Sequence, residues 1–357
     1  MSHMHLPIMP PVKPMLAKAT QDIPHGGFSY EPKWDGFRAL VFYDGHDIEI
    51  GSRRERPLTR YFPELVDAVA KNFTHPCVID GEIIVVNESG TRLDFESLQQ
   101  RIHPAQSRID TLSDSTPARF VAFDLLALDD VNLMKEPLQR RRATLRTILA
   151  DARSPIHMSQ ATDDHKTAQR WFAQFEGAGL DGVVAKPLNG TYQPNKRGWY
   201  KVKHERTAEC VIGGYRTHKT GDDRVGSLLL GLYDDAGDLF SVGVCSAFRD
   251  AERKKLFTQL QPLVTHDPDH PWTRQRHDDG YRTPLHAQES RWSAGKDLSF
   301  TPLEPRLVAE VKYDHLEGER FRHSPRFLRW RPDRDPRSCT YTQLQEVVSY
   351  DIGDVLA

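Results

Sequence analysis

The stretch Ser29 to Tyr43, S-Y-E-P-K-W-D-G-F-R-A-L-V-F-Y, constrains the chain more than any other. Its second half, Arg38 to Tyr43, is β-branched and aromatic and reads as a strand, which puts Lys33 at a strand–turn junction. Gly36 permits a tight turn there, with backbone able to come close to a ligand. Lys33, Asp35, Gly36 and Arg38 therefore form a compact K-x-D-G-x-R group. Lysine is a nucleophile only as the neutral amine; burial or a cation such as Arg38 favours that form, whereas Asp35 favours the charged one. A solvated Lys–Asp pair beside a turn has the same pattern, so the meaning of the group depends on the motifs downstream of it in the chain.

The chain of 357 residues is long enough for two domains, and 38% hydrophobic residues can give each a core. A formal net charge of −2 and a pI near 6.8 provide no global basic field, so any nucleic-acid contact must come from local clusters. Cys77, Cys210, Cys245 and Cys339 are widely spaced, which argues against a cysteine zinc site or a disulfide framework. No apolar run approaches membrane-spanning length and the first residues lack a secretory layout, so a cytoplasmic protein without membrane contact is expected. Met1-Ser2-His3-Met4 reads as a cloning remnant.

Residues 5–27 read as an extended lead-in. Asp47 to Arg54 is a second strand, joined to the lysine strand through Asp44-Gly45, with Arg53 at its end. Pro63 to Asn72 has helical spacing. Cys77 to Val86 is an apolar strand interrupted by Asp80 and Glu82. Such acids need a basic residue, a metal or a sugar hydroxyl as partner, or a bulge at Gly81 that exposes them to water. Arg119 to Leu128 repeats the theme with Phe123 and Asp124. Glu136 to Leu149 is a basic amphipathic helix whose arginines are expected on a solvated face. A helix runs from Asp163 to Phe175, capped by Thr162 or Asp163. Next come a strand from Leu180 to Pro187, carrying Asp181 and Lys186, and a strand from Trp199 to Lys203. In the latter, Lys201 and Lys203 share one face and call for an anion between them.

After a polar hinge near Glu205, short strands at Val211–Tyr215, Gly226–Tyr233, Leu239–Val244, Leu307–Tyr313 and Phe327–Arg331, with a helix near Ala251–Leu263, suit a small OB-type barrel. The long segment Thr265–Lys296, with Trp272, Tyr281 and Trp292 among arginines, is a candidate nucleic-acid surface. Arg320 to Arg334 is the densest positive cluster, either a soluble barrel edge or a phosphate-binding patch.

Taken together, K-W-D-G-F-R, D-G-E, F-V-A-F-D-L-L, D-G-V-V-A-K, W-Y-K-V-K and R-W-R-P-D-R fall in an order that resembles the ATP-dependent DNA ligases, covalent nucleotidyltransferases. The flanking P-L-T-R-Y-F-P-E, G-S-L-L-L-G-L-Y-D-D and W-S-A-G-K-D-L-S-F resemble the bacterial ligase C type most. The resemblance implies an α+β fold: a nucleotidyltransferase (adenylation) domain over 5–204 with antiparallel sheets and helices, then an OB-fold domain over 205–357. It implies that Lys33 takes AMP from ATP, with Asp35, Lys201 and Lys203 in catalytic roles. It places Glu31, Arg38, Arg53, Glu82, Phe123 and Lys186 on the nucleotide, and Arg329, Arg331 and Arg334, with Asp333, on its outer phosphates. Mg2+ or Mn2+ would be held by Glu82 and Asp181. Nicked double-stranded DNA would be the substrate of a monomer acting in repair, beside a primase-polymerase or another repair protein. Two departures stand out: Asp181 occupies a position where many ligases have Glu, and Arg334 one where Lys is frequent, which alters donor geometry but not charge. An RNA ligase or a GTP-using capping enzyme is the nearest enzymatic rival, and a non-catalytic DNA-binding module the rival of another class.

Overall fold

The computed structural model describes residues 4–204, 206–274, 281–285, 297–314, 316–344 and 350–356. The chain forms two compact units, residues 1–204 with 347–357, and residues 205–346.

In the first unit the strands are β1 (Leu16–Ala19), β2 (Phe28–Pro32), β3 (Phe37–Tyr43), β4 (Ile48–Ser52), β5 (Cys77–Val85), β6 (Ala118–Leu128), β7 (Val131–Asn132), β8 (Ile156–Met158), β9 (Gly182–Pro187) and β10 (Arg197–Lys203). One sheet has the order β4-β3-β5-β6-β7 and is antiparallel, with β8 added parallel to β6. The other has the order β1-β10-β9-β2. The helices are α1 (Pro63–Asn72), α2 (Phe95–Gln100), α3 (Gln106–Ser115), α4 (Leu138–Ile148) and α5 (His165–Gln174). β5 and β6 read as continuous apolar runs because both faces are covered. On one face Ile79, Ile83, Phe120 and Ala122 pack with Leu65 and Val69 of α1 and Leu145 of α4. On the other, Leu40, Phe42, Val78 and Phe123 pack with Met15, Tyr192 and Trp199.

The lead-in is more than a drape: it contains β1, paired parallel with β10. The cap of α5 is Asp164, one residue beyond the expected position, accepting from the Lys166 and Thr167 N–H groups. Helices α2 and α3 had no counterpart in the sequence reading.

The second unit holds β11 (Arg206–His218), β12 (Gly221–Tyr233), β13 (Leu239–Cys245), α6 (Asp250–Leu260), β14 (Thr301–Tyr313), β15 (Leu316–Glu317), β16 (Arg320–Phe321) and β17 (Arg326–Trp330). Its main sheet is antiparallel, in the order β13-β12-β11-β14-β17, with α6 packed on β12, an arrangement of OB type. Trp272 fills its centre, 1% exposed, with the indole N–H donating to Leu239 O at 2.8 Å. A Cβ on Gly213 would lie 2.5 Å from that ring, so the strand is bare there to admit it. Tyr281 donates to the Leu239 and Pro271 carbonyls. Trp272 therefore belongs to the barrel interior, not to the nucleic-acid surface expected of it, whereas Tyr281 is half-buried. Trp292 and Glu205 lie outside the described residues.

One segment departs from the expected division. Residues 350–356, including the short α7 (Gly353–Leu356), complete the first unit. Ile352 and Val355 are fully buried among Trp34, Ile84, Leu93, Phe175 and Leu180, and the Ile352 N–H donates to Thr91 O. Two aliphatic side chains at this spacing bury themselves wherever an apolar cleft is open, which a boundary drawn from motif order does not reveal. Among the described residues no helix is long and apolar enough to cross a membrane.

Candidate active site

Lys33 directly follows β2 and is pinned through its main chain. Its N–H donates to Gly182 O at 2.8 Å and its carbonyl accepts from Asp181 N–H at 2.9 Å. The adjoining turn needs glycine for lack of room: a Cβ on Gly36 would stand 2.1 Å from Ile83 O. Gly182 has φ +129° and faces Val202 O, where a Cβ would be 2.0 Å away. Both glycines thus fix the lysine turn against β5 and β10.

The Lys33 ammonium donates to Asp181 Oδ2, and Lys203 Nζ lies 2.9 Å from the same oxygen. Asp181 is almost wholly buried. The anion that the Lys201/Lys203 face calls for is thus supplied, in part, by the protein itself. Burial and the Lys33 and Lys203 charges hold the Lys201 amine below its ordinary range.

A cavity of about 180 Å³ opens beside Lys33. Glu31, Lys33, Arg38, Arg53, Glu82, Phe123, Lys186 and Lys201 all line it, so five of the motifs, with Arg53 and Glu31, converge there; Asp35 and Lys203 are not among the lining residues. Trp199 and residues 14–17 of the lead-in complete its wall. Glu31 is 2% exposed and has both oxygens engaged, Oε1 by Arg142 and Oε2 by Lys186, each at 2.8 Å. Lys186 lies 4.1 Å from the Phe123 ring centre and 4.4 Å from that of Trp199. Burial lowers its amine, opposed by Glu31. Arg38 stacks 4.5 Å from the Phe123 centre and binds Asp80 bidentately at 2.5 and 2.6 Å. Tyr192 donates to the same carboxylate at 2.6 Å.

Several expectations change here. Asp80 is fully buried and salt-bridged, not exposed by a bulge; the bare position at Gly81 serves the Phe120 ring, 2.4 Å from where a Cβ would be. Asp124 is paired bidentately with Arg141 at 2.7 and 2.8 Å. The α4 arginines divide: Arg140 and Arg146 are exposed, whereas Arg141 and Arg142 turn inward onto acids. Arg142, Asp80, Tyr192 and Trp199 are therefore site residues that the sequence reading missed. An unpartnered acid in each of three apolar strands was the signal that buried arginines had to exist.

Glu82 is opposite Arg38 in the ladder. Burial pushes its carboxyl up to about 7, with Arg38 and Lys33 pulling down and Asp35 and Asp80 adding to the rise. Asp35 lies half-buried in the lysine turn. Among the described residues no group of three or more His, Cys, Asp or Glu side chains could hold a metal alone. The two carboxylates near Lys33, Asp181 and Glu82, nevertheless suit Mg2+, which binds through one or two carboxylates and takes its remaining oxygens from phosphate and water.

The terminal arginines are in the second unit. Arg329 binds Glu310 at 2.6 Å; Arg331 binds Glu209, and Asp333 at 2.8 Å; Arg334 binds Glu209 at 2.9 Å. The Asp333 carboxyl is lowered to about 2 by the Arg331 hydrogen bond.

A family model described as the ATP dependent DNA ligase domain matches residues 14–203, and one described as the ATP dependent DNA ligase C terminal region matches residues 221–334. This chain belongs to the ATP-dependent DNA ligases. It is 58% identical over 357 residues to DNA ligase C of Mycobacterium tuberculosis, covering 99% of both chains. It is also 58% identical over 343 residues to DNA ligase C2 of Mycolicibacterium smegmatis, covering 96% of both. Among solved structures, one from a structure-function study of Lig E DNA ligases aligns with a TM-score of 0.55, covering 89% of this chain and 99% of that one; at 18% identity this speaks for the fold. Membership in the ligase family accounts for the adjacency of a pinned lysine, a part-aromatic cavity and a cationic wall.

Proposed function

We propose that this protein seals nicks in duplex DNA with ATP, through AMP carried on Lys33. The observation that carries the proposal is that Lys33 lines one cavity together with Phe123, Trp199, Lys186, Glu31, Arg53 and Lys201, while Lys203 shares with Lys33 the same Asp181 oxygen. The cavity takes the adenosine, with Phe123 against the base and Glu31 and Lys186 at its edge, while Arg38 and Glu82 hold the ribose.

In the first step the Lys33 nitrogen forms a bond to the α-phosphorus and the bond to pyrophosphate breaks. In the second, a 5′-phosphate oxygen at the nick attacks the same phosphorus and Lys33 leaves. In the third, the 3′-hydroxyl attacks the 5′-phosphate and AMP departs. All three are phosphoryl transfers, in which positioning and charge neutralisation supply most of the catalysis. Lys201 and Lys203 neutralise the α-phosphate, and Arg329, Arg331 and Arg334 serve the β- and γ-phosphates. Asp181 would exchange its ammonium partners for Mg2+ or Mn2+ shared with Glu82, and such an ion neutralises phosphate charge. Arg53 binds nick phosphate and Asp35 assists the later steps. The role proposed for this reaction is DNA repair, as the resemblance to the ligases implies.

Intact mass after separate incubation with ATP, GTP and NAD, for wild type and Lys33→Ala, tests the first step. An AMP adduct from ATP alone, absent in the variant, is expected, together with joining of a nicked duplex. A GMP adduct would favour a capping enzyme, and the absence of any adduct on folded protein would refute the proposal.

A further inference from the structure

The terminal arginines lie over an acidic pair that no motif marks. Glu209 of β11 and Glu310 of β14 are direct partners in the antiparallel ladder. Directly opposed side chains project to the same face, and two like charges so placed repel. The pair persists because Arg331 and Arg334 hold the two oxygens of Glu209 and Arg329 holds Glu310. Glu209 is also fixed from behind. β12 pairs with β11 only from Val211 onward, and the main chain of Glu209 meets Gln343 instead, whose Oε1 accepts its N–H at 2.7 Å and whose Nε2 donates to its carbonyl at 2.9 Å. A carboxylate paired at both oxygens with two guanidiniums occupies donors that also suit phosphate oxygens, though with a planar group of lower charge.

We infer that Glu209, seconded by Glu310, is a built-in substitute for phosphate that keeps Arg331 and Arg334 occupied until a triphosphate displaces it. The inference rests on the proposed function, which assigns those arginines to the β- and γ-phosphates. Binding ATP then exchanges one anion for another and exposes two adjacent glutamates. Departure of pyrophosphate restores the carboxylate contacts, so the arginines return to the acidic pair rather than remaining free. Glu209 is a positioning residue: it touches neither substrate nor reacting atom, and acts through Arg331 and Arg334. Arg329 is largely exposed, so Glu310 contributes less.

The test uses the full chain, with Glu209→Gln as the near-isosteric variant and Glu310→Gln as the weaker one. Rates of lysyl-AMP formation across ATP concentrations give KM and the limiting rate separately, and thermal melts establish folding. Removing the competing charge is expected to lower KM for ATP by about fivefold in Glu209→Gln, the equivalent of one partly exposed ion pair. Glu310→Gln should give a smaller fall. Sealing by pre-adenylated Glu209→Gln should also become more easily inhibited by added ATP, because Arg334 loses its carboxylate and Arg331 keeps only Asp333. An unchanged or raised KM in a folded Glu209→Gln protein overturns the inference. Arg331→Ala separates the two layers. If it adenylates like wild type, the assignment of the arginines to phosphate fails; if it is impaired while Glu209→Gln behaves as wild type, only the substitute-phosphate inference fails.

Discussion

Arg142 offers a quantitative test of how the nucleotide cavity is held. Its guanidinium donates to Glu31 Oε1 at 2.8 Å, to Phe123 O at 3.2 Å and to Ser159 O at 2.9 Å, all buried. Arg142→Met keeps an unbranched apolar stem but leaves Glu31 with Lys186 alone and two carbonyls without that donor. Breaking a buried pair from one side costs about 3–5 kcal/mol, a large part of the roughly 5–15 kcal/mol that stabilises a domain. For a unit of this size each kcal/mol is worth about 2–4 °C, so the melting midpoint should fall by about 6–20 °C. Glu31→Gln should cost at least as much, since it leaves the buried Arg142 and Lys186 cations facing a neutral amide, one end of which is itself a donor. In the double variant the losses should be far from additive, with a coupling of about 1–3 kcal/mol in a double-mutant cycle read by denaturant unfolding. Adenylation should fall in each single variant, because Glu31 lines the cavity. Additivity within about 0.5 kcal/mol would refute the claim that Arg142 acts through Glu31.

Four further outcomes are expected. Gly36→Ala places a Cβ 2.1 Å from a main-chain oxygen, so backbone must move; AMP-adduct formation by intact mass should be lost even in protein that remains folded. Trp272→Ala should destabilise the second unit by about 3–5 kcal/mol in denaturant melts, as loss of an interior side chain does, and an unchanged melt would return that ring to the surface. Ile352→Ala should destabilise the first unit by about 2–5 kcal/mol although it lies far along the chain, measured by the same melts. Burial holds the His157 imidazole below its ordinary range while its Nδ1 bonds Leu356 O, which requires the proton on Nδ1. The unfolded chain therefore binds the extra proton more readily. The contribution is full above the unfolded value near 6.5 and is lost as pH falls through the lower folded value, so His157→Gln should flatten the acid side of the stability profile.

Much of the site could be read from sequence because each motif carries its own local signal. Lys33 is followed by a glycine that only close packing explains, and Lys201 and Lys203 alternate on a strand. Glu82 and Asp124 interrupt apolar strands, while the place of Phe123 on the nucleotide comes from the family resemblance alone. What was not legible depended on tertiary pairing. Arg141 and Arg142 occupy the same helix as the exposed Arg140 and Arg146, and only the facing acids on β2 and β6 separate them. Trp272 and Tyr281 sit in a polar loop whose composition suggests a surface, yet the barrel interior has a gap at Gly213 that the indole fills. Glu209 lies in a strand with no motif at all, and its importance appears only when its ladder partner is known to be Glu310.

The first unit is closed by residues that follow the second unit in the chain. On a ribosome, Lys33 and the strands carrying Glu82 and Lys201 are all made before residues 205–346, but the cleft around Trp34 and Leu180 has no Ile352 or Val355 to fill it until those residues have followed. The barrel can therefore fold while the unit that precedes it still has an open apolar cleft. The first unit therefore reaches its final packing only after the second has been made, and a fragment ending at residue 204 lacks that packing.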